Sequence, residues 1–144
     1  MAYNQIKDVF EILDEFGQQT NKAKRKELLL KHSDNQALRD VLRGTFDESL
    51  VWNLPEGRPP YQANIPESVP STLIREHRMF GYFVNGAKGD GLPAYKRENM
   101  FVQLLESIHP ADAEIVLSMV AKKSPVKFLT KKLVQEAFPN LIKT

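Results

Sequence analysis

From Tyr3 to Phe16 the apolar residues Ile6, Val9, Phe10, Leu13 and Phe16 fall three or four positions apart. That spacing keeps side chains on one face of an α-helix and on no single face of a strand. Gly17 can end the helix, Thr20 or Asn21 can cap a second one running to about His32, and Ser33 or Asp34 a third that carries Leu38, Val41 and Leu42 and stops near Gly44. Further along, Ser71 or Thr72 opens a helix holding Leu73, Ile74, Met79, Phe80 and Phe83, and another spans about Ala94 to Ile108. Pro110 suits the first position of the next, with Asp112 and Glu114 in its opening turns and Lys122 or Lys123 at its close. Ser124 and Pro125 break the pattern before Thr130 caps a last helix through Ala137. No alternating β-branched runs and no internal repeat compete with this reading. The expected fold is all-α, six to seven helices in one domain over residues 1–144.

The exception is residues 52–70. Pro55, Pro59, Pro60, Pro66 and Pro70 remove backbone donors and disfavour helix in the residues before them. Trp52, Leu54, Tyr61, Ile65 and Val69 give the segment apolar groups to dock on a core, so an ordered connector is expected. At 42% hydrophobic and 26% charged the chain is too apolar for disorder, and no window approaches the ~20 apolar residues of a membrane span. With no cysteine, disulfide scaffolds, thiolate metal clusters and cysteine nucleophiles are excluded. The start of the chain lacks the basic stretch and apolar run of a signal peptide, and a cytoplasmic protein is the expectation.

Net charge is only +2, but its distribution is uneven. Residues 122–144 hold six basic groups against one acid, and Lys22, Lys24, Arg25, Lys26 and Lys31 stand against Glu27 alone. The early lysines lie at a helix start, where the dipole disfavours cations, so helix stability is not their reason. The late group, Lys122, Lys123, Lys127, Lys131 and Lys132, brackets a turn and a helix start whose free amides can join ammonium groups in meeting phosphates. Sequence-independent contact with a nucleic-acid backbone is the chemistry this pattern fits.

Other motifs carry less. Lys88-Gly89-Asp90-Gly91 matches the opening of the lysine-x-aspartate-glycine motif of nucleotidyltransferases, but Pro93 replaces its arginine and only 53 residues follow Gly91, too few for an adenylation domain. The reading is a glycine-rich turn. His32, His77 and His109 show no metal-ligand spacing, and neighbouring carboxylates such as Asp14/Glu15 and Asp47/Glu48 are adjacent rather than facing. No metal, cofactor or catalytic residue is expected.

Ile12-Leu13-Asp14-Glu15, Thr20 to Lys26, Leu28 to Lys31, Asp34-Asn35, Leu38-Arg39 and Val41 resemble the opening of the N-terminal DNA-binding domain of ATP-dependent DNA ligases of the T4 phage type. Asp112-Ala113-Glu114 with its apolar helix, and Lys132 to Ile142, resemble that domain's close. The resemblance runs over residues 9 to 142 in order and spacing. The whole sequence is also similar to a family of small T4-type phage proteins of unassigned function, through Leu38 to Phe46 and Pro66 to Leu73. In such ligases the all-α domain clamps nicked duplex DNA through backbone contacts while separate domains catalyse. Here Thr144 falls where the catalytic domain would begin, which implies a free-standing, non-enzymatic relative accessory to phage DNA metabolism in the host cytoplasm. Carried over residue by residue, the implied contacts are Lys22, Lys24 and Lys26 in the early turn and Lys127 and Lys131 in the late one. Pro125 and Lys127 depart from the small residues of the ligase pattern. The competing expectation is a protein-interaction module binding a phage or host replication or transcription protein, with Trp52, Pro59, Pro60 and Tyr61 as an aromatic hot spot.

Overall fold

Helix boundaries follow local capping chemistry almost throughout the described residues, 7–142, of the computed structural model. Asp8 precedes α1 (Val9–Gln18), and Glu11 reaches back to accept the Asp8 backbone N–H at 3.1 Å. The part of the expected first helix from Tyr3 to Ile6 lies outside the described residues. Asn21 caps α2 (Lys22–Lys31) by accepting from the Lys24 N–H, and His32 closes it. Thr72 caps the single turn α4 (Leu73–Glu76), which tightens into a 3-10 segment over His77–Tyr82. α5 (Ala94–Ser107) follows Pro93, α6 (Pro110–Val120) begins on Pro110 as expected, and Thr130 caps α7 (Lys131–Ala137). α6 stops two residues short of Lys122, because Lys122 turns left-handed at φ 59°. With α3 (Gln36–Phe46) the described residues hold seven α-helices and no strand, only a lone antiparallel bridge between Trp52 and Val84. None of the helices is long and apolar enough to cross a membrane.

α3 (Gln36–Phe46) departs from expectation at both ends, and for tertiary reasons. Its cap is Asn35 rather than Ser33 or Asp34. The buried Asn35 side chain accepts from the Leu38 N–H at 3.0 Å and donates to the Lys7 carbonyl at 2.9 Å, a second bond that the exposed Ser33 and Asp34 do not make. The helix then runs through Gly44, because Trp52 and Met119 pack directly on that residue. Trp52 also donates its indole N–H to the Gly44 carbonyl at 3.0 Å.

An added Cβ at Gly44 would sit 2.7 Å from Met119 Sδ and 2.7 Å from Trp52 Cζ2. Alanine there gains at most ~1 kcal/mol of helix propensity, whereas overpacking costs ~1–3 kcal/mol. Gly44→Ala is therefore expected to lower the urea unfolding midpoint; a raised midpoint would show that the packing is looser than described.

α6 is the hub. Ala113, Ile115, Val116, Leu117 and Met119 are all buried, so it is apolar nearly all round, as a helix enclosed by others must be. It packs on α1, α3 and α5, while α2 joins α1 on one side and α7 on the other. The connector is pinned at several points. Trp52 meets Phe80 edge-on at 6.2 Å, the Tyr61 hydroxyl donates to Glu114 at 3.1 Å, and Arg58 pairs with the same carboxylate through two bonds of 2.8 and 2.6 Å.

Candidate nucleic-acid interface

α2 distributes its cations by simple helical geometry. With Leu28 and Leu29 buried, Lys22 and Lys26 fall about 40° apart on one flank, and Lys24 and Lys31 on the opposite flank. The first flank faces α7. The Lys22 ammonium lies 2.9 Å from Glu136 Oε2 on α7. That hydrogen bond, with the charges of Lys26 and Lys132 added, holds the Glu136 carboxyl below the ordinary carboxylate range. Lys24 is exposed on the side toward α1, where Glu15, Gln19, Glu27 and Lys31 line a shared open groove. The structure thus brings Lys22 and Lys26 together with Lys132, a residue outside the expected contacts, and sets Lys24 apart.

The turn after α6 is built tightly. Lys122 N–H bonds the Met119 carbonyl at 3.0 Å and Lys123 N–H the Ser118 carbonyl at 2.9 Å, the paired bonds that close a helix through a left-handed residue. Lys122 occupies that left-handed position and donates its ammonium to the Asp47 carbonyl at 2.8 Å, and burial pushes its pKa down. The residue stays exposed, but its ammonium is engaged with that carbonyl. The Ser124 hydroxyl lies 2.9 Å from the Val126 carbonyl and 2.6 Å from that of Leu129, holding the turn closed.

Phe128 is where the two basic segments meet. The Arg25 guanidinium carbon sits 3.9 Å from the centre of its ring, and the Lys127 ammonium 5.1 Å from it. These cations are a hundred residues apart in sequence and share one aromatic ring. Lys131, by contrast, pairs with Glu48, just beyond the end of the helix over Gln36–Phe46, at 3.3 Å. Arg39 extends the cationic margin along α7, its guanidinium 5.4 Å above the Phe138 ring. The cations therefore form two groups that α2 joins: Lys22, Lys26 and Lys132 around Glu136, and Arg25 and Lys127 on the Phe128 ring. The Lys22–Glu136 pair is exposed on both sides. Such pairs contribute ~0.2–1 kcal/mol and yield readily to a competing phosphate.

Sequence reasoning passed over Phe128 altogether. The signal available was a bulky aromatic between a basic residue and a leucine, three positions after Pro125. The remaining motifs are structural. Lys88 is exposed, with its ammonium 4.5 Å from the Tyr82 ring, while Asp90 accepts the Gly86 N–H at 2.9 Å. That is a turn without the desolvation a nucleophilic lysine needs. His109 Nδ1 accepts from the Ala111 N–H at 3.0 Å and its ring stacks on Phe10 at 4.0 Å, and His77 Nδ1 bonds Asp40 at 2.5 Å. Among the described residues no three histidine, aspartate or glutamate side chains group to hold a metal. Trp52 donates to the Gly44 carbonyl and the Tyr61 hydroxyl to Glu114, and both side chains are partly buried.

Comparison with known proteins gives a family. The model of a family of unknown function, DUF6433, matches residues 12–125, well over half of the chain. No curated protein matches.

Proposed function

This chain belongs to the DUF6433 family, a family of unknown function, and we propose that it binds double-stranded DNA without catalysis and without sequence preference, through phosphate contacts. The observation that carries the reading is that α2 joins two groups of cations, Lys22 and Lys26 with Lys132 of α7, and Arg25 with Lys127 of the turn after α6. Fixed-backbone turns presenting ammonium and guanidinium groups suit phosphate, which offers charge but no sequence. The resemblance to a ligase DNA-binding domain supports the same reading, as an accessory to phage DNA metabolism.

Five phosphate contacts require a log-log salt slope of about −4 to −5, at ~0.9 per contact. Replacing Lys22, Lys26 and Lys127 together by glutamine is expected to flatten that slope by two or more. The measurement is a fluorescence-anisotropy titration with a short duplex across a salt series. Lys24→Gln and Lys131→Gln, made singly, decide how far the interface reaches: an unchanged slope confines it to the α2–α7 cluster. A flat salt dependence in the wild type sinks the phosphate reading. DNA retained only through a co-purifying replication or transcription protein would transfer the function to a protein-binding module.

A further inference from the structure

Phe128 breaks two local rules at once. Its φ is 71°, in the left-handed region where bulky residues are outliers, and its side chain stands in solvent although its neighbour Leu129 is buried. Glycine or asparagine would hold the same turn without crowding the backbone. The surrounding bonds keep the ring in place: the Ser124 hydroxyl on the Val126 and Leu129 carbonyls, and the Leu129 N–H on the Val126 carbonyl at 3.3 Å. A strained residue held by its surroundings at a charged surface is a sign of use rather than of packing.

We propose that Phe128 is a stacking platform for an unpaired nucleobase, so that the protein prefers DNA carrying a gap or single-stranded junction over intact duplex. This rests on the DNA-binding reading above and adds a ligand to the same face. The Arg25 guanidinium, 3.9 Å from the ring centre, covers one face, and with 48% of the residue exposed the rest of the ring is open to solvent. Lys127, exposed with its ammonium 5.1 Å from that centre, stands where it can meet a phosphate flanking a stacked base, while Arg25, whose Nη2 donates to the Gln19 carbonyl at 2.9 Å, braces the ring. Aromatic stacking of this kind is tolerant of base identity, because every base has a π-face. Paired bases in an intact duplex are already stacked on each other and offer the ring nothing.

The test compares two DNAs of equal length, one intact and one carrying a short gap with 2-aminopurine in its single-stranded part. Wild type is expected to favour the gapped DNA by about tenfold, the scale of one aromatic–base stack, and to change the 2-aminopurine emission on binding. Phe128→Ala is expected to lose that preference and the spectral change; Phe128→Trp retains both. Equal loss of affinity for both DNAs in Phe128→Ala, or a preference that survives it, overturns the stacking proposal and leaves the phosphate reading standing. Binding to neither DNA overturns both. Thermal unfolding of each variant confirms that folded proteins are being compared.

Discussion

Asp112→Asn is expected to abolish a fall in stability of about 4 kcal/mol that the wild-type protein undergoes between about pH 4 and pH 7. Asp112 stands in the first turn of α6 with 1% exposure. Its Oδ1 accepts the Phe10 N–H of α1 at 2.9 Å, and its Oδ2 is buried without a partner. Burial, helped by the charges of Asp8 and Glu11, raises its pKa from 3.8 to about 7, against the lowering from the Phe10 hydrogen bond. A helix N-terminus favours an anion by at most ~2 kcal/mol, and desolvation wins.

The folded-state value lies above the unfolded one, so the neutral carboxyl contributes its full stability below about pH 4. That contribution drains away as pH rises and is gone above about pH 7, at ~1.4 kcal/mol per pH unit. Glu114 and Glu136, whose carboxyls are held low by Arg58 and Lys22, work in the opposite sense, gaining stability as pH rises through their acidic range. Both pairs are solvent-exposed and weak. Asparagine keeps the acceptor for Phe10 but puts an unpaired amide where Oδ2 was, a loss of ~1–3 kcal/mol. The variant should therefore be more stable than wild type by about 2 kcal/mol near pH 8 and less stable near pH 4. Urea unfolding across that range is the measurement, and parallel pH profiles for the two proteins would refute the assignment.

The second large effect belongs to Arg97. It is 9% exposed and stands in the opening turn of α5, where the helix dipole opposes it. Its Nε donates to the Asn53 carbonyl at 2.9 Å, and its Nη1 lies 3.2 Å from the Leu92 and 3.4 Å from the Gly89 carbonyl. One side chain thereby ties the connector and the glycine-rich turn to α5. Gly89 belongs to the same knot, since a Cβ there would lie 1.9 Å from the Tyr82 carbonyl oxygen. Arg97→Ala leaves the Asn53 and Leu92 carbonyls without a donor, while that of Gly89 keeps the Leu92 N–H at 3.1 Å, and should destabilise the protein by ~3 kcal/mol, at ~1–3 kcal/mol for each buried group left unsatisfied. Arg97→Lys should recover less than half, because an ammonium on a single stem cannot span the fork. The fold's dependence on this knot is disproved by an alanine variant that unfolds within about 1 kcal/mol of wild type in urea.

Much of the helix inventory was legible because caps and apolar periodicity act within a few residues. Asn21, Thr72, Pro110 and Thr130 begin their helices wherever the rest of the chain goes, and the 3.6-residue period marks Val9, Leu13 and Phe16 as core, while it also enlists the half-buried Phe10 and passes over the buried Ile12. Asn35 was not legible as the α3 cap, since its advantage over Ser33 and Asp34 is a bond to Lys7 from another segment. Arg97 was equally silent, because an arginine in a helix reads as solvent-facing until the carbonyls it serves are in place.

The candidate interface divides the same way. Charge counting along the chain identified two basic segments, and the sequence alone determined that they exist and that each lies at a helix start or turn. Only the tertiary structure decided that Arg25 and Lys127 share the Phe128 ring, that Lys22 and Lys26 face Lys132, and that Lys24 and Lys131 turn elsewhere. The reason is range. Helix formation is settled by neighbours one turn away, whereas the grouping of charges is set by how α2 and α7 pack, an arrangement that depends on apolar contacts between residues a hundred positions apart.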